Sequence, residues 1–250
     1  MSIRDRAAAL SFIDAGCDLV ARGEASALVT GPVSKAEIVS SGAPGSSDFL
    51  GHTEHLMRRL GAPSVTMAFW SRSFTTSLVT THLSVRDVPR HVTRKAVLRA
   101  TLHTARFLAT LDRGRTRDLR LVVSGLNPHA GEDGLLGREE IERIGPAIAD
   151  ARSVLEEEGV PIGVEGPVPA ESALRLARDG VYAGAVTMFH DQATIAMKLC
   201  GFGEAVNVSL GLPIVRTSVD HGTAFDRAGT GTADPRGMRE AIGLAIRMVR

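Results

Sequence analysis

The chain has 250 residues, a formal net charge of +1, 44% hydrophobic residues and only 4% aromatic residues. That length supports one large core or two smaller ones, and two lobes are expected. With no basic block and few rings for base stacking, nucleic acid is excluded as a partner. No apolar run is long enough to span a bilayer and the start, Met-Ser-Ile-Arg-Asp-Arg, lacks a signal-peptide core, so a cytoplasmic protein without membrane contact is expected.

Residues 7–22 carry small and apolar side chains at helical spacing and stop at Gly23, which predicts a helix with a glycine end signal. Ala27-Leu28-Val29-Thr30 reads as a strand running into Gly31-Pro32-Val33-Ser34-Lys35, a turn whose backbone N–H groups can approach a ligand. Residues 40–47 are Ser-, Gly- and Pro-rich and read as a crossover. Gly51-His52-Thr53-Glu54-His55 then opens a helix to about Leu60 with Thr53 as its cap. That places His52 and Thr53 at a helix N-terminus, where phosphate or carboxylate is attracted. The His52/His55 spacing also suits a metal.

Residues 65–70 and 74–80 predict a hairpin that ends at Thr81-His82, and residues 90–111 predict one long amphipathic helix with His91 and His103 on its solvated face, followed by Arg- and Gly-rich sequence. Residues 119–124 form a buried strand leading to Gly125-Leu126-Asn127-Pro128-His129-Ala130-Gly131-Glu132. Residues 137–159 predict a charged helix, 164–169 an extended link and 172–179 a short helix. A further buried strand, 183–188, delivers Phe189-His190-Asp191-Gln192, and residues 236–248 form the closing helix. Cys17 and Cys200 match no metal or redox spacing and read as buried thiols.

Two features point to chemistry. Asp191, Lys198, Asn207 and Arg216 lie among apolar residues rather than in a charge run, and burying such groups needs partners that an anion and a metal ion would supply. His82, His129 and His190 each follow a β-rich apolar run, and in a parallel sheet such ends meet along one edge. Each alone reads equally as a structural histidine; their recurrence suggests three imidazoles around a catalytic metal, with Zn, Co or Ni suited and Mn or Mg allowed.

The words Thr30-Gly31-Pro32-Val33, Gly51-His52-Thr53-Glu54, Thr80-Thr81-His82-Leu83, residues 125–132, His190-Asp191-Gln192, and Leu210-Gly211-Leu212-Pro213 through Asp220-His221-Gly222-Thr223-Ala224 run in one order along almost the whole chain. In them the chain resembles the 4-hydroxythreonine-4-phosphate dehydrogenase family of vitamin B6 biosynthesis and its catabolic relatives. The resemblance implies an α/β fold of two α/β/α lobes, like the isopropylmalate and isocitrate dehydrogenases, with the site in the cleft between lobes. It implies a cofactor-side lobe of residues 1–45 plus 217–250 and a metal-binding, substrate-binding and dimerising lobe of residues 46–216.

It further implies that His82, His129 and His190 bind a divalent metal (Zn, Co, Mg or Mn), and that His52, Thr53, Lys198, Asn207 and Arg216 hold a phosphorylated small-molecule substrate. Asp191 and Lys198 are the implied catalytic pair. Asp220, His221, Gly222, Thr223 and Asp234 look like the NAD- or NADP-contacting loop of the isopropylmalate dehydrogenases; any such binding is not of Rossmann type, because no GxGxxG follows a strand. A homodimer with a shared active site is implied too. Family members are expected to begin with a further stretch of roughly eighty residues, and this chain starts after it, which would uncover a sheet edge. The implied reaction is metal-dependent, NAD(P)-linked oxidation and decarboxylation of 4-phosphohydroxy-L-threonine. The alternatives are a dehydrogenase of a phosphorylated sugar acid such as 4-phospho-threonate or erythronate, and a shortened metal- or phosphate-binding protein without catalysis.

Overall fold

A computed structural model describes residues 3–112, 118–201 and 203–249; the Arg- and Gly-rich sequence at 113–117 and the first two residues lie outside them. In chain order the elements are α1 (Ile3–Ala21), β1 (Ala27–Thr30), α2 (Lys35–Ser40), α3 (His52–Arg59), β2 (Thr66–Trp70), β3 (Thr75–Leu78), α4 (Val88–His91), α5 (Arg94–Leu111) and β4 (Arg120–Ser124). They continue with α6 (Gly145–Glu157), β5 (Gly163–Val168), α7 (Ala170–Arg178), β6 (Gly184–Thr187), α8 (His190–Gly201), β7 (Val206–Leu210), β8 (Val215–Val219) and α9 (Arg236–Val249). The protein is of the α/β class. It divides into two compact units, residues 1–65 with 203–250 and residues 66–202.

In the first unit β1 runs parallel to β8, in the register Ala27↔Val215, and β8 pairs antiparallel with β7 through a tight turn at Gly211. Leu10, Ile13, Cys17, Ile38, Phe49 and Leu56 form one buried cluster that joins α1, α2 and α3. Polar pairs lock the same helices at the surface, with Arg59 forked onto Asp18 at 2.9 and 2.7 Å and His55 Nε2 2.6 Å from Asp14 Oδ1. His55 is therefore part of the α1–α3 contact. The closing helix α9 buries Gly237, Ala241, Leu244 and Ala245, the helical stripe its sequence spacing predicts, and packs on β1 and β8.

The second unit carries strands in the order β2-β3-β6-β4-β5. The β2–β3 hairpin is antiparallel, as expected, and β3–β6, β6–β4 and β4–β5 are parallel. All four residues of β6 are buried, which is why that strand reads as a continuous apolar run. Helices α5 and α6 pack together and onto the sheet, as do α7 and α8.

Four local expectations are corrected. Residues 163–168 form a strand rather than a link; Pro167 is tolerated there because β5 lies at the end of the strand order. The long helix expected from residue 90 breaks at Val92-Thr93, where the Thr93 hydroxyl accepts the Ala96 N–H at 3.2 Å and caps α5. His103 is not on a solvated face. It is half-buried, its Nδ1 lies 3.0 Å from the Thr66 hydroxyl, and burial pushes its pKa down to about 4. Cys17 is buried as expected, whereas Cys200 is exposed. Among the described residues no helix is long and apolar enough to cross a membrane.

Removing the α5 cap gives a first expected result. Thr93→Ala should lower unfolding stability by about 1 kcal/mol, since one orphan helix donor loses its acceptor. Urea unfolding reads this as a lower midpoint at unchanged slope; an unchanged midpoint would show that the cap contributes nothing.

Candidate active site

In the second unit, β3, β6 and β4 are adjacent and mutually parallel, so their C-terminal ends share one edge. The chains leaving β3 and β6 stay paired beyond the strands. Val79 N–H donates to the Thr187 carbonyl at 2.9 Å, and Thr80 donates to the Met188 carbonyl through its N–H at 3.1 Å and its hydroxyl at 2.8 Å. That pairing carries His82 to His190, and the two rings lie 5.7 Å apart, centroid to centroid. His190 is the first residue of α8 rather than a loop residue. Its Nδ1 sits 2.7 Å from Asp191 Oδ1, so the N–H that donates there leaves the lone pair on Nε2. Imidazoles oriented by a carboxylate are metal-ligand chemistry, and this pair fits a divalent ion.

His129 leaves the third strand of the edge and is exposed. Residues 129–133 all adopt left-handed backbone, with φ of 53, 53, 83, 45 and 53°, which for each non-glycine residue costs about 1–2 kcal/mol. Among the described residues no three His, Cys, Asp or Glu side chains form a ligand shell in this conformation. The strained loop is held from two sides. Gln192 accepts the Met188 N–H at 2.8 Å and donates to the Gly125 carbonyl at 3.2 Å, tying the start of α8 to the end of β4. Glu140, 4% exposed, accepts the Leu126 and Asn127 N–H groups at 2.8 Å each. Sequence reasoning placed Glu140 on an ordinary charged helix; nothing in its spacing separates it from the glutamates around it.

The first unit assembles a different kind of site. Alternate residues of β7 share a face, which puts Asn207 and Ser209 together. Arg216 on β8 is 3% exposed; it donates to the Ser209 hydroxyl at 3.0 Å and to the Thr30 hydroxyl at 2.7 Å. Ser209 in turn lies 3.3 Å from the Thr53 hydroxyl. Thr53 is therefore not the cap of α3. Gly51 is the N-cap, and the buried Thr53 side chain turns to β7 instead. Three buried atoms here, Arg216 Nε, His52 Nε2 and Asn207 Oδ1, have no hydrogen-bond partner among the described residues. Burial pulls the Arg216 pKa down to about 10, opposed by the Glu54 charge, so the guanidinium still carries its charge at neutral pH. A buried cation with an idle N–H beside a helix N-terminus has the chemistry to accommodate an anion. Ser209 and Thr30 belong to this cluster; Thr30 appears in a quoted motif, whereas Ser209 gives no sequence signal beyond its place in an alternating strand.

His52 makes that site sensitive to pH. Burial first, then the charges of Arg216 and His55, push its pKa down from 6.5 to about 4, so it is neutral at pH 7. The unfolded chain takes up the proton first as pH falls below about 6.5. Stability is therefore lost between about pH 6.5 and 4, by on the order of 3 kcal/mol at most. His52→Gln should flatten the fall in urea midpoint between pH 7 and 4.5, and an identical slope in wild type and variant would contradict the assignment.

The remaining expected residues are spread more openly. Lys198 is exposed in the last turn of α8 in the second unit, and Asp191 is exposed beside His190. In the first unit His221 and Gly222 are exposed, with the His221 Nδ1–H donating to the Gly222 carbonyl at 2.9 Å. Asp220 and Thr223 flank them and are half-buried. Asp234 caps α9 through the Arg236 N–H at 3.0 Å and pairs with the Arg236 guanidinium, which holds its carboxyl below the usual range. This segment lies open at the surface, which leaves its backbone accessible to a cofactor. Beside His190 the second unit also has an apolar groove of about 500 Å³, lined by Phe74, Leu174, Phe189, Ile195 and Leu199, the last 81% exposed.

Comparison with known proteins places these sites in context. The family model described as "Pyridoxal phosphate biosynthetic protein PdxA" matches residues 2–245. The chain belongs to the PdxA family. Among curated PdxA relatives, the 4-hydroxythreonine-4-phosphate dehydrogenase of Burkholderia vietnamiensis is 43% identical over 252 residues, covering 96% of this chain and 71% of the relative. The crystal structure of 4-hydroxythreonine-4-phosphate dehydrogenase from Klebsiella pneumoniae superposes with a TM-score of 0.80 at 35% identity, over 95% of this chain and 69% of that one. A terephthalate 1,2-cis-dihydrodiol dehydrogenase from Burkholderia xenovorans also matches, with a TM-score of 0.73 at 26% identity over 99% of this chain and 74% of that one. The PdxA fold thus serves more than one dehydrogenase, and the substrate must be read from the site.

Proposed function

We propose that this chain is a 4-hydroxythreonine-4-phosphate dehydrogenase, oxidising 4-phosphohydroxy-L-threonine and releasing carbon dioxide from the product. The observation that carries the reading is Arg216, a buried cation with an idle N–H in a PdxA-family chain. Phosphate supplies the charge and the acceptors that the Arg216 Nε–H and, in its Nε2–H tautomer, the His52 ring lack, with Asn207 beside them as a further substrate contact. Thr53 adds a hydroxyl to the anion's donors, and fixing the phosphate orients the alcohol carbon three bonds further along.

The secondary alcohol loses a proton and a hydride to become a ketone; the resulting β-keto acid breaks its bond to the carboxylate, and the electron pair left on carbon is finally protonated. Asp220, His221, Gly222, Thr223 and Asp234 would hold NAD or NADP, which when bound would supply the hydride acceptor. His82, His129 and His190 would hold a divalent metal (Zn, Co, Mg or Mn), which when bound would supply Lewis acidity. Asp191 fixes the His190 tautomer through its 2.7 Å bond and keeps Nε2 available. Lys198, exposed in the last turn of α8, contributes a positive charge. The exposed apolar groove along α8 supports association with a second copy, and the proposal takes this to be a homodimer with a shared active site, working in the cytoplasm.

The test is direct. The purified chain, loaded in turn with each metal, is given 4-phosphohydroxy-L-threonine and either NAD or NADP, and reduced nicotinamide is followed by absorbance. Turnover is expected, and 4-phospho-threonate or erythronate should react more slowly. Faster turnover of those acids would move the assignment to the sugar-acid dehydrogenases. Metal binding with no turnover of any of them would mark a non-catalytic binder.

A further inference from the structure

Glu140 is a buried carboxylate whose hydrogen bonds, among the described residues, come from uncharged N–H groups rather than from a cation. It fills the inside of the loop that carries His129. Oε1 accepts the Leu126 and Asn127 N–H groups at 2.8 Å each, and Oε2 accepts the Asn127 side-chain amide at 2.9 Å. The same amide donates to Glu139 Oε2 at 2.8 Å. The fit leaves no spare room. A Cβ at Gly131, which sits at φ +83°, would lie 2.7 Å from Glu140 Oε2, and one at Gly125 would lie 3.1 Å from Oε1 and 2.9 Å from Ala130 Cα. Glu140 opens a single π turn, Glu140–Ile144, directly before α6, and such wide turns are frequent where a side chain must be re-aimed at a functional site.

The five left-handed residues that include His129 are not a conformation the chain adopts by local preference. Something must over-determine it. We propose that Glu140 is the positioning residue for His129: its carboxylate, by gathering three N–H groups from the head of the loop, sets where the imidazole stands and thereby governs metal affinity. The proposal rests on the metal-binding reading of His82, His129 and His190. Glutamine at this position keeps the volume but presents an N–H to groups that are themselves donors, so at least one of the three bonds is lost. Support of this kind around metal ligands is worth about 10- to 100-fold in affinity.

The experiment is a Co(II) titration of the full chain, read by visible absorption, with dissociation constants for wild type, Glu140→Gln, His129→Ala and Thr93→Ala. His129→Ala should weaken binding at least 100-fold; wild-type affinity there would bring down the metal reading itself. Glu140→Gln should weaken binding 10- to 100-fold and shift the Co(II) bands at saturation. Thr93→Ala, which weakens the fold outside this loop, should leave both unchanged, and equal effects from Thr93→Ala and Glu140→Gln would reduce Glu140 to a structural role. Wild-type affinity and bands in Glu140→Gln, with His129→Ala impaired, would overturn the positioning role alone. If Glu140→Gln does not fold, Asn127→Ala decides: a loss of about fivefold or more is expected from removing one of the three bonds, and unchanged affinity overturns the proposal.

Discussion

Arg216→Ala should reduce kcat/KM for the phosphorylated substrate by about 10²- to 10⁴-fold, because hydrogen bonds to charged groups contribute roughly 1.5–3 kcal/mol each and two or more are removed. The same variant should be no less stable than wild type when phosphate is absent. Arg216 is 3% exposed, it donates to the hydroxyls of Ser209 and Thr30, and the Glu54 charge offsets its burial only in part. A buried charge that is only partly neutralised is a burden on the folded state, and its removal relieves that burden. Thermal unfolding with and without inorganic phosphate separates the two effects. Wild type should gain melting temperature with phosphate and the variant should not. Arg216→Lys should behave like the alanine variant, since an ammonium cannot reach two hydroxyls and an anion from one rigid fork. A phosphate-induced shift retained in Arg216→Ala would place the anion elsewhere.

His82→Ala should lose bound metal and at least 10³-fold in turnover, with little change in folding. His82 is exposed, so its truncation in metal-free protein should alter stability by no more than about 0.5 kcal/mol. Its ring lies 5.7 Å from His190, and that neighbour has its Nδ1 committed to Asp191. Taking one nitrogen from a three-nitrogen set leaves too few donors to hold the ion against water. Metal content by mass spectrometry, the assay described above and unfolding in chelator are the three readings. Unchanged metal content would remove His82 from the ligand set.

Much of the fold was legible because burial imposes its periods on the sequence. Residues 27–30 emerge as the expected strand, the 66–78 hairpin closes as read, and α9 runs one residue beyond its expected end. The α/β class follows from buried strands separated by amphipathic helices. The misreadings share a cause. Residues 163–168 contain Gly166 and Pro167, which argue against a strand until the edge position is known. Val92-Thr93 interrupts an amphipathic pattern without breaking it, so the two helices read as one. Thr53 carries a cap signal, but a tertiary partner, Ser209, claims its hydroxyl. Residues such as Ser209 and Glu140 act through contacts distant in sequence, and no local pattern marks them. The candidate metal-binding histidines were named from sequence because each follows an apolar strand, and Lys198 and Arg216 because they are charged groups set among apolar residues. Their geometry was beyond its reach: the left-handed run at His129 follows a loop head that Glu140 and Gln192 hold through bonds distant in sequence.

The two compact units differ in continuity along the chain: residues 66–202 are one uninterrupted span, whereas the other unit joins residues 1–65 to 203–250. Its β1 hydrogen-bonds to β8, with Ala27 opposite Val215. On the ribosome, then, the uninterrupted span is the first to have all its strands available, while β1 waits through the translation of everything between, its pairing edge unsatisfied. Chaperone dependence and sensitivity to premature termination should concentrate in that waiting segment.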